Sequence, residues 1–398
     1  IMEEIRAPDI YRAQKIFSLT EELKLKHNVI FTGQADNVHL PVILNNAKAF
    51  IHLSTYEGFG LAVLEALASG TPVVAARRSS YPEILKDAVK FVNPTDIDKI
   101  GNAIQTILED TKLRAELIKK GALLSQQYSW QNTAKETLAA FESVVDKTPP
   151  LNIGYLSLNF HPYKGGAEAN CLALAKSMTK KGHHVTVFTS DSGYSDWQRT
   201  EVFEGIAIKR FHKFNGQYYL NYTPGLLKDL LAAKLDVLHV HGLGFIWHDY
   251  CLLFKKFFNP RLIIINTPHG PFMANQHYSW FKRLLRWKFS IIQRLYLNYL
   301  YRLFIEVNPV QEKWLKNYGV RKDKIVYLPN GIPADYAKIT PDENVLKELK
   351  LNKKFVIAFI GRFETYKGLQ DLIMVIAKIA PEHKNVKLVA MGYPGKYL

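Results

Sequence analysis

The chain has 398 residues, 47% of them hydrophobic and 22% charged, with two cysteines and a formal net charge of +16. That length favours two domains with sizeable cores, and the basic balance bears on partners (nucleic acid, an anionic membrane surface or polyanionic small substrates) rather than on fold. Composition and patterning exclude a disulfide framework, since only Cys171 and Cys251 are present, and a low-complexity chain; no uncharged apolar run reaches a membrane span, no secretory signal is read at the start, and no zinc spacing, RNA-binding signature or recognition helix is found.

In chain order, residues 11–25 read as a helix, 29–32 as a strand, 40–46 as a short helix and 49–53 as a buried strand. A helix entered through Gly60 follows, then a strand over 71–75 and helices over 96–108, 112–127 and 130–145. Asp146-Lys147-Thr148-Pro149-Pro150 breaks regular structure and reads as a linker. A fresh unit opens with a strand at 151–156, a glycine-bearing loop over 159–166, a helix over 167–181 and a strand at 184–188. Strands follow at 237–240, 262–265, 303–307 and 325–328, the doubly wound pattern that places ligands at the carboxyl ends of strands. A last unit has strands at 355–360 and 386–391 around a helix over 368–379. It reads as the opening of a Rossmann-like domain, whereas the first unit reads as the later half of one.

The most informative stretch is residues 56–74. Glu57 and Glu65 stand on either side of the glycine-bearing helix entry at Gly60 and Leu61, seven residues between them. Helix-start amides suit a phosphate, and carboxylates accept from hydroxyls. A phosphate seat flanked by hydroxyl acceptors describes a sugar-nucleotide site. Asp96-Ile97-Asp98 invites a metal reading, but Asp96 reads better as a helix N-cap. His239 and His241 are read as ending a strand and facing opposite sides, so that one lines a cleft and the pair holds no metal.

The setting E-G-F-G-L-x-x-x-E-A-x-A-x-G-x-P-V-V resembles the retaining GT-B glycosyltransferases of family 4. Gly165-Gly166-Ala167-Glu168 is similar to that family's first glycine loop, Thr267-Pro268-His269-Gly270 to its T-x-H turn and Pro329-Asn330-Gly331-Ile332 to its P-N-G segment. Gly361-Arg362 with Lys367-Gly368 is similar to its G-R…K-G loop, and Pro82-Glu83-Ile84 with Pro94 and Asp96 to the segment after the paired glutamates. The likeness covers nearly the whole chain. It implies an α/β GT-B fold of two Rossmann-like doubly wound domains facing a cleft. The order differs, because the family places the paired glutamates last and here they come first. Three accounts stay open: a circular permutation, a fragment spanning two tandem copies, and a rearranged numbering. On the first, 1–130 is the later part of the donor-nucleotide domain and 131–150 a crossover helix and linker. Residues 151–337 are then the acceptor domain, and 338–398 the first part of the donor domain.

The resemblance further implies transfer of a sugar, with retention, from a nucleoside-diphosphate sugar to an acceptor hydroxyl. Arg362 and Lys367 would meet the departing diphosphate, with Gly361 and the amides at Gly60 and Leu61 completing the cradle. Glu65 would accept from the ribose hydroxyls and Glu57 from the donor sugar. His269 would stabilise the oxocarbenium-like state, with Gly166 and Asn330 binding nearby and Glu168 a further cleft residue. No metal and no cofactor beyond the sugar nucleotide is expected. Residues 280–304 carry Lys282, Arg283, Arg286, Lys288, Arg294 and Arg302 among aromatics and leucines, with Glu absent from 280–304 and Asp likewise. A basic amphipathic helix of that kind suits a membrane interface, a lipid-linked or envelope-precursor acceptor and a cytoplasmic, peripheral location. The competing readings are a basic membrane- or nucleic-acid-binding protein on an inactive scaffold, and a GT-B sugar-nucleotide epimerase or phosphorylase.

Overall fold

The computed structural model describes residues 7–33, 35–36, 38–146, 150–163, 165–191, 197–214, 220–270, 280–337 and 342–392. The chain divides into two compact units, one built from the stretches up to Ser129 and from Ile332 onward, the other from Trp130 to Gly331. Its strands are β1 (Val29–Gly33), β2 (Ala49–His52), β3 (Val73–Ala76), β4 (Lys90–Val92), β5 (Asn152–Ser157), β6 (His184–Ser190) and β7 (Thr200–Phe203). They continue with β8 (Ile206–Phe211), β9 (Val237–His241), β10 (Ile263–Thr267), β11 (Leu303–Glu306), β12 (Ile325–Tyr327), β13 (Phe355–Ile360) and β14 (Val386–Met391).

The first unit holds a sheet in the order β1-β14-β13-β2-β3-β4, parallel throughout. β2 and β3 are buried at every position, as helices on both faces of a parallel sheet require. Ile51, Val74, Ile357 and Leu388 share one core with Ile373 and Ile376 of the helix Leu369–Ile379. Val29 of β1 lies opposite Leu388 of β14, and Ala49 of β2 opposite Ile357 of β13, so strands from both stretches of the chain interleave in one sheet. Counted from β13 through β14 and on to β1, the order is 3-2-1-4-5-6, the doubly wound sequence of about six strands whose direction reverses between the first strand and the fourth. That reversal falls between β13 and β2, and the loops leaving their carboxyl ends carry Gly361–Lys367 and Leu53–Gly60.

The second unit has the order β12-β11-β10-β9-β5-β6-β8-β7. Only the edge pair β7 and β8 is antiparallel. This hairpin was not expected from the sequence, because its exposed positions Thr200 and Val202 break the apolar run that marks a buried strand. The reversal here lies between β5 and β9, which pair in parallel from Ile153↔Val237 to Ser157↔His241.

Two expected boundaries move. The helix Trp130–Glu142, expected to belong to a crossover and linker over 131–150, is part of the second unit. Ala134 and Phe141 are buried with Ile153, Cys171 and Leu174, so apolar burial holds it there. Residues 147–149 of the expected linker lie outside the described residues. The stretch from Ile332 onward, expected to end the acceptor domain at 337, belongs to the first unit, where the Ile332 amide donates to the Tyr128 carbonyl at 3.1 Å. Both cysteines are free and buried.

Candidate functional site

In the first unit, the loop after β2 carries Glu57 and the loop after β13 carries Lys367. Thr55 donates its amide to the Tyr366 carbonyl at 2.8 Å, which ties the two loops together. Gly368 takes φ +76°, and a Cβ there would stand 2.6 Å from the Leu53 Cβ, so the turn after Lys367 packs closely on the end of β2. Across a sequence separation of 310, Lys367 Nζ donates to Glu57 Oε1 in an ion pair whose two side chains are 13% and 15% exposed. Burial raises the Glu57 carboxyl, but Lys367, His52 and hydrogen bonds from Lys367 and Ser54 outweigh it and hold the carboxyl below its ordinary value. Arg362 Nη2 donates to the Tyr366 hydroxyl at 2.6 Å, which orients its guanidinium.

Sequence reasoning missed the groups that hold Glu57. The Tyr81 hydroxyl lies 2.9 Å from His52 Nδ1, and His52 Nε2 lies 3.6 Å from Glu57 Oε1. Burial pushes the imidazole down to about 4, so it stands neutral beside the carboxylate, its ring stacked on Phe359. Ser79 Oγ donates to the Glu57 carbonyl at 2.7 Å, and the Glu57 amide lies 3.2 Å from the same oxygen. The one signal for this support was a histidine closing the apolar run Ala49-Phe50-Ile51. β2 stops at His52, and Glu57 stands in the loop beyond it.

Gly60 precedes the helix Leu61–Ala68 with φ +99° and no side-chain cap, so the first amides at Leu61 are left for a ligand. A Cβ at Gly60 would lie 2.4 Å from Tyr81 Cε1. Gly60→Ala is therefore expected to strain the backbone and displace the ring that supports His52, costing about 1–3 kcal/mol. Chemical denaturation and nucleoside-diphosphate titration of the variant check both effects. Glu65 projects from this helix half-buried, and no side chain among the described residues donates to its carboxylate. Burial alone pushes that carboxyl up to about 7. Asp96 caps the helix Ile97–Glu109, accepting from the Lys99 amide at 3.0 Å, as its spacing suggested. Among the described residues, no group of three or more histidine, cysteine or acidic side chains is placed to hold a metal ion.

In the second unit, His239 and His241 do not face opposite sides. Residues two apart in a strand share a face, and their ring centroids lie 4.4 Å apart. His239 Nε2 is 2.7 Å from Thr267 Oγ1, and His241 Nδ1 is 2.8 Å from His269 Nε2, the latter rings stacked at 18°. Burial pushes His269 and His239 down to about 3 and His241 well below its ordinary value, so all three are neutral. His269 has φ +52° within a turn closed by the Gly270 amide on the Pro268 carbonyl at 2.7 Å. The left-handed backbone of a residue other than glycine is held there at a cost by its surroundings.

Gly166 opens the helix Gly166–Lys180, directly after the loop that leaves β5. Asn330 is buried, and its Oδ1 accepts from Asn170 Nδ2 at 2.6 Å, while Thr133 Oγ1 donates to the Pro329 carbonyl at 2.9 Å. The Asn170 bond ties Asn330 into its loop through Oδ1. Glu168 lies 3.3 Å from Asn159 Nδ2 through Oε1.

Comparison with known proteins assigns both units to a class. Residues 11–123 match the family described as Glycosyl transferases group 1, and residues 164–336 match Glycosyltransferase Family 4. The chain is therefore of the GT-B glycosyltransferase type, group 1 and family 4, and its two Rossmann-like α/β units are the fold of that class. Among relatives, it is 35% identical over 112 residues to O-antigen chain mannosyltransferase B of Escherichia coli, covering 28% of this chain and 29% of that protein. It is 30% identical over 131 residues to MMP alpha-(1->4)-mannosyltransferase of Mycolicibacterium hassiacum, covering 32% of each. The chain thus spans about a third of the length of these relatives. A solved structure, Anabaena Alr3699/HepE in complex with UDP and glucose, aligns at a TM-score of 0.38 and 15% identity over 61% of this chain and 69% of that one.

Proposed function

We propose that this chain is an enzyme that moves a sugar from a nucleoside-diphosphate sugar to an acceptor hydroxyl, with retention at the anomeric carbon and without a metal. The observation that carries this reading is the Glu57–Lys367 pair at the strand-order reversal of the first unit, next to the uncapped Leu61–Ala68 helix and the Glu65 carboxylate. Lys367 and Arg362 supply positive charge for a departing diphosphate, and preorganised donors of this kind are worth most where water is excluded. Glu65 takes the ribose hydroxyls and Glu57 the sugar hydroxyls, Lys367 exchanging its carboxylate partner for phosphate oxygens as donor arrives. In the second unit, the His269 backbone carbonyl is assigned to the positive charge that develops on the sugar, which leaves its ring for a sugar hydroxyl. Two relatives that match about a third of this chain are named mannosyltransferases, so mannosyl donors are the first to test.

The experiment is incubation with a panel of sugar nucleotides, reading release of nucleoside diphosphate and the anomeric configuration of product by NMR, with and without EDTA. Donor turnover with retained configuration and no EDTA effect is expected. Absence of binding to any sugar nucleotide, with salt-sensitive binding to anionic vesicles retained, overturns this reading in favour of an inactive basic scaffold.

The motif order is read as a circular permutation within the donor-binding unit. The 3-2-1-4-5-6 order counted from β13 supports this, as does a group 1 match that precedes the family 4 match. A chain rejoined after β14 to the segment before β1 and opened ahead of β5 should bind nucleotide equally well.

The acceptor is read as lipid-linked or an envelope precursor, met at the inner membrane face. Support comes from the helix Trp280–Leu300, where Trp280, Leu284, Trp287, Ile291, Leu295 and Tyr299 recur at helical spacing and are all exposed. Lys288 and Arg302 stand exposed on or beside it. Arg294 is exposed as well and donates to the Asn317 carbonyl at 2.7 Å, and the side chains of Lys282, Arg283 and Arg286 lie outside the described residues. No helix among the described residues is long and apolar enough to cross a membrane. Trp287→Ser with Leu295→Ser is expected to abolish sedimentation with phosphatidylglycerol vesicles while leaving nucleotide affinity unchanged.

A further inference from the structure

We propose that His241 is a positioning residue that fixes the proton of His269 on Nδ1, making His269 a neutral hydrogen-bond donor rather than a base. The inference rests on the glycosyltransferase reading for its consequence, but the geometry stands by itself. His241 sits at the end of β9 and is 3% exposed. Its Nδ1 meets His269 Nε2 at 2.8 Å, so one of these two nitrogens carries the proton between them. Its other nitrogen, Nε2, is buried and meets no hydrogen-bonding group among the described residues.

A neutral imidazole carries one N–H. Were that proton on His241 Nε2, a buried N–H would have no acceptor, and Nδ1 would accept from His269. With the proton on His241 Nδ1, it is donated to His269 Nε2, and only a lone pair is left unmatched. Orphaned buried donors are rarer and costlier than under-used acceptors. The second arrangement is therefore favoured, and His269, with Nε2 accepting, must carry its own proton on Nδ1. No described residue pairs with that Nδ1, which is free to donate to an oxygen of the substrate. The chain that carries His241 is itself held: the Gly242 amide after it donates to the Thr267 carbonyl at 2.8 Å, and Asn266 Nδ2 donates to the Gly242 carbonyl at 2.7 Å. Strand pairing of His241 with Thr267 and Ser157 fixes its backbone. His241 thus holds the ring of a residue whose backbone is strained, and selects its tautomer.

The test is long-range 1H–15N NMR of the full chain labelled with 15N-histidine, at pH 8 and without substrate, His269 being assigned from a His269→Gln spectrum. His269 is expected to be protonated on Nδ1 in the wild type and in His241→Asn, whose amide can still donate to Nε2. In His241→Phe nothing donates to Nε2, so the single tautomer is expected to be lost and the Nε2–H form to appear beside Nδ1–H. Transfer should then fall about tenfold in kcat, the worth of one neutral hydrogen bond, with donor KM unchanged and His241→Asn restoring most of the rate. A wild-type His269 protonated on Nε2 overturns the proposal whatever the variants do. An unfolded His241→Phe leaves the wild-type and His241→Asn spectra to decide it. Wild-type protein without transfer activity refutes the proposed function instead, because the tautomer is read with no substrate present.

Discussion

Lys367→Ala is expected to lower sugar transfer by roughly 100- to 1,000-fold, the usual loss when one preorganised donor to a developing anion is removed. The loss should fall on kcat and on nucleoside-diphosphate affinity together, since the ammonium serves both bound donor and departing diphosphate. The same change leaves Glu57 buried beside a neutral His52. Without the lysine charge, the burial that already opposes ionisation prevails, so the Glu57 carboxyl should rise above its ordinary range. In the wild type the folded carboxyl lies below its unfolded value, so it contributes stability at neutral pH that is lost on acidification. In Lys367→Ala the folded value lies above the unfolded one, so stability should instead fall as pH rises towards neutrality. Breaking a buried pair from one side typically costs about 3–5 kcal/mol. Glu57→Gln in the Lys367→Ala background should recover much of that stability without recovering transfer. Urea melts across pH and initial rates on the single and double variants check this. A Lys367→Ala protein with wild-type kinetics would falsify the assignment of Lys367 to the diphosphate.

The second large effect concerns Glu65. Burial holds its carboxyl at about 7, against an ordinary value of 4.5. Ribose hydroxyls donate to the ionised form, so nucleoside-diphosphate affinity should rise with pH through about 7 and then level off. Glu65→Gln should bind more weakly and show no such rise. Stability runs the other way. The folded carboxyl holds its proton more tightly than the unfolded one, so its contribution is full below pH 4.5 and is lost as pH rises through 7. At about 1.4 kcal/mol per pKa unit the upper limit is about 3 kcal/mol, reduced by the partial exposure of the side chain. Glu65→Gln should thus be more stable than the wild type at pH 8 and no more stable at pH 4. Calorimetric titration from pH 5.5 to 8.5 and parallel thermal melts check both signs. A wild-type affinity flat across that range would remove Glu65 from the ribose.

Much of this protein was legible from local pattern. Apolar runs such as Phe50-Ile51 and Val356-Ile357-Ala358 can only be strands buried on both faces, so the sequence itself determined an alternating α/β chain. Gly60 before an apolar helix, with Glu57 and Glu65 around it, likewise pointed to a candidate phosphate and hydroxyl site, because those preferences depend on residue type and spacing. Relations between distant positions needed the tertiary structure. Only the interleaving of β13 and β14 with β1 and β2 brings Lys367 to Glu57, and no periodicity reports which strands are neighbours. The hairpin Thr200–Phe211 escaped notice because an exposed edge strand carries little apolar signal. The hydrogen bond from Asn170 to Asn330 likewise joins residues 160 positions apart. His52, Tyr81 and His241 look like ordinary strand and turn residues in sequence. Their meaning comes from burial, which strips the imidazoles of charge, and from partners that the fold alone supplies.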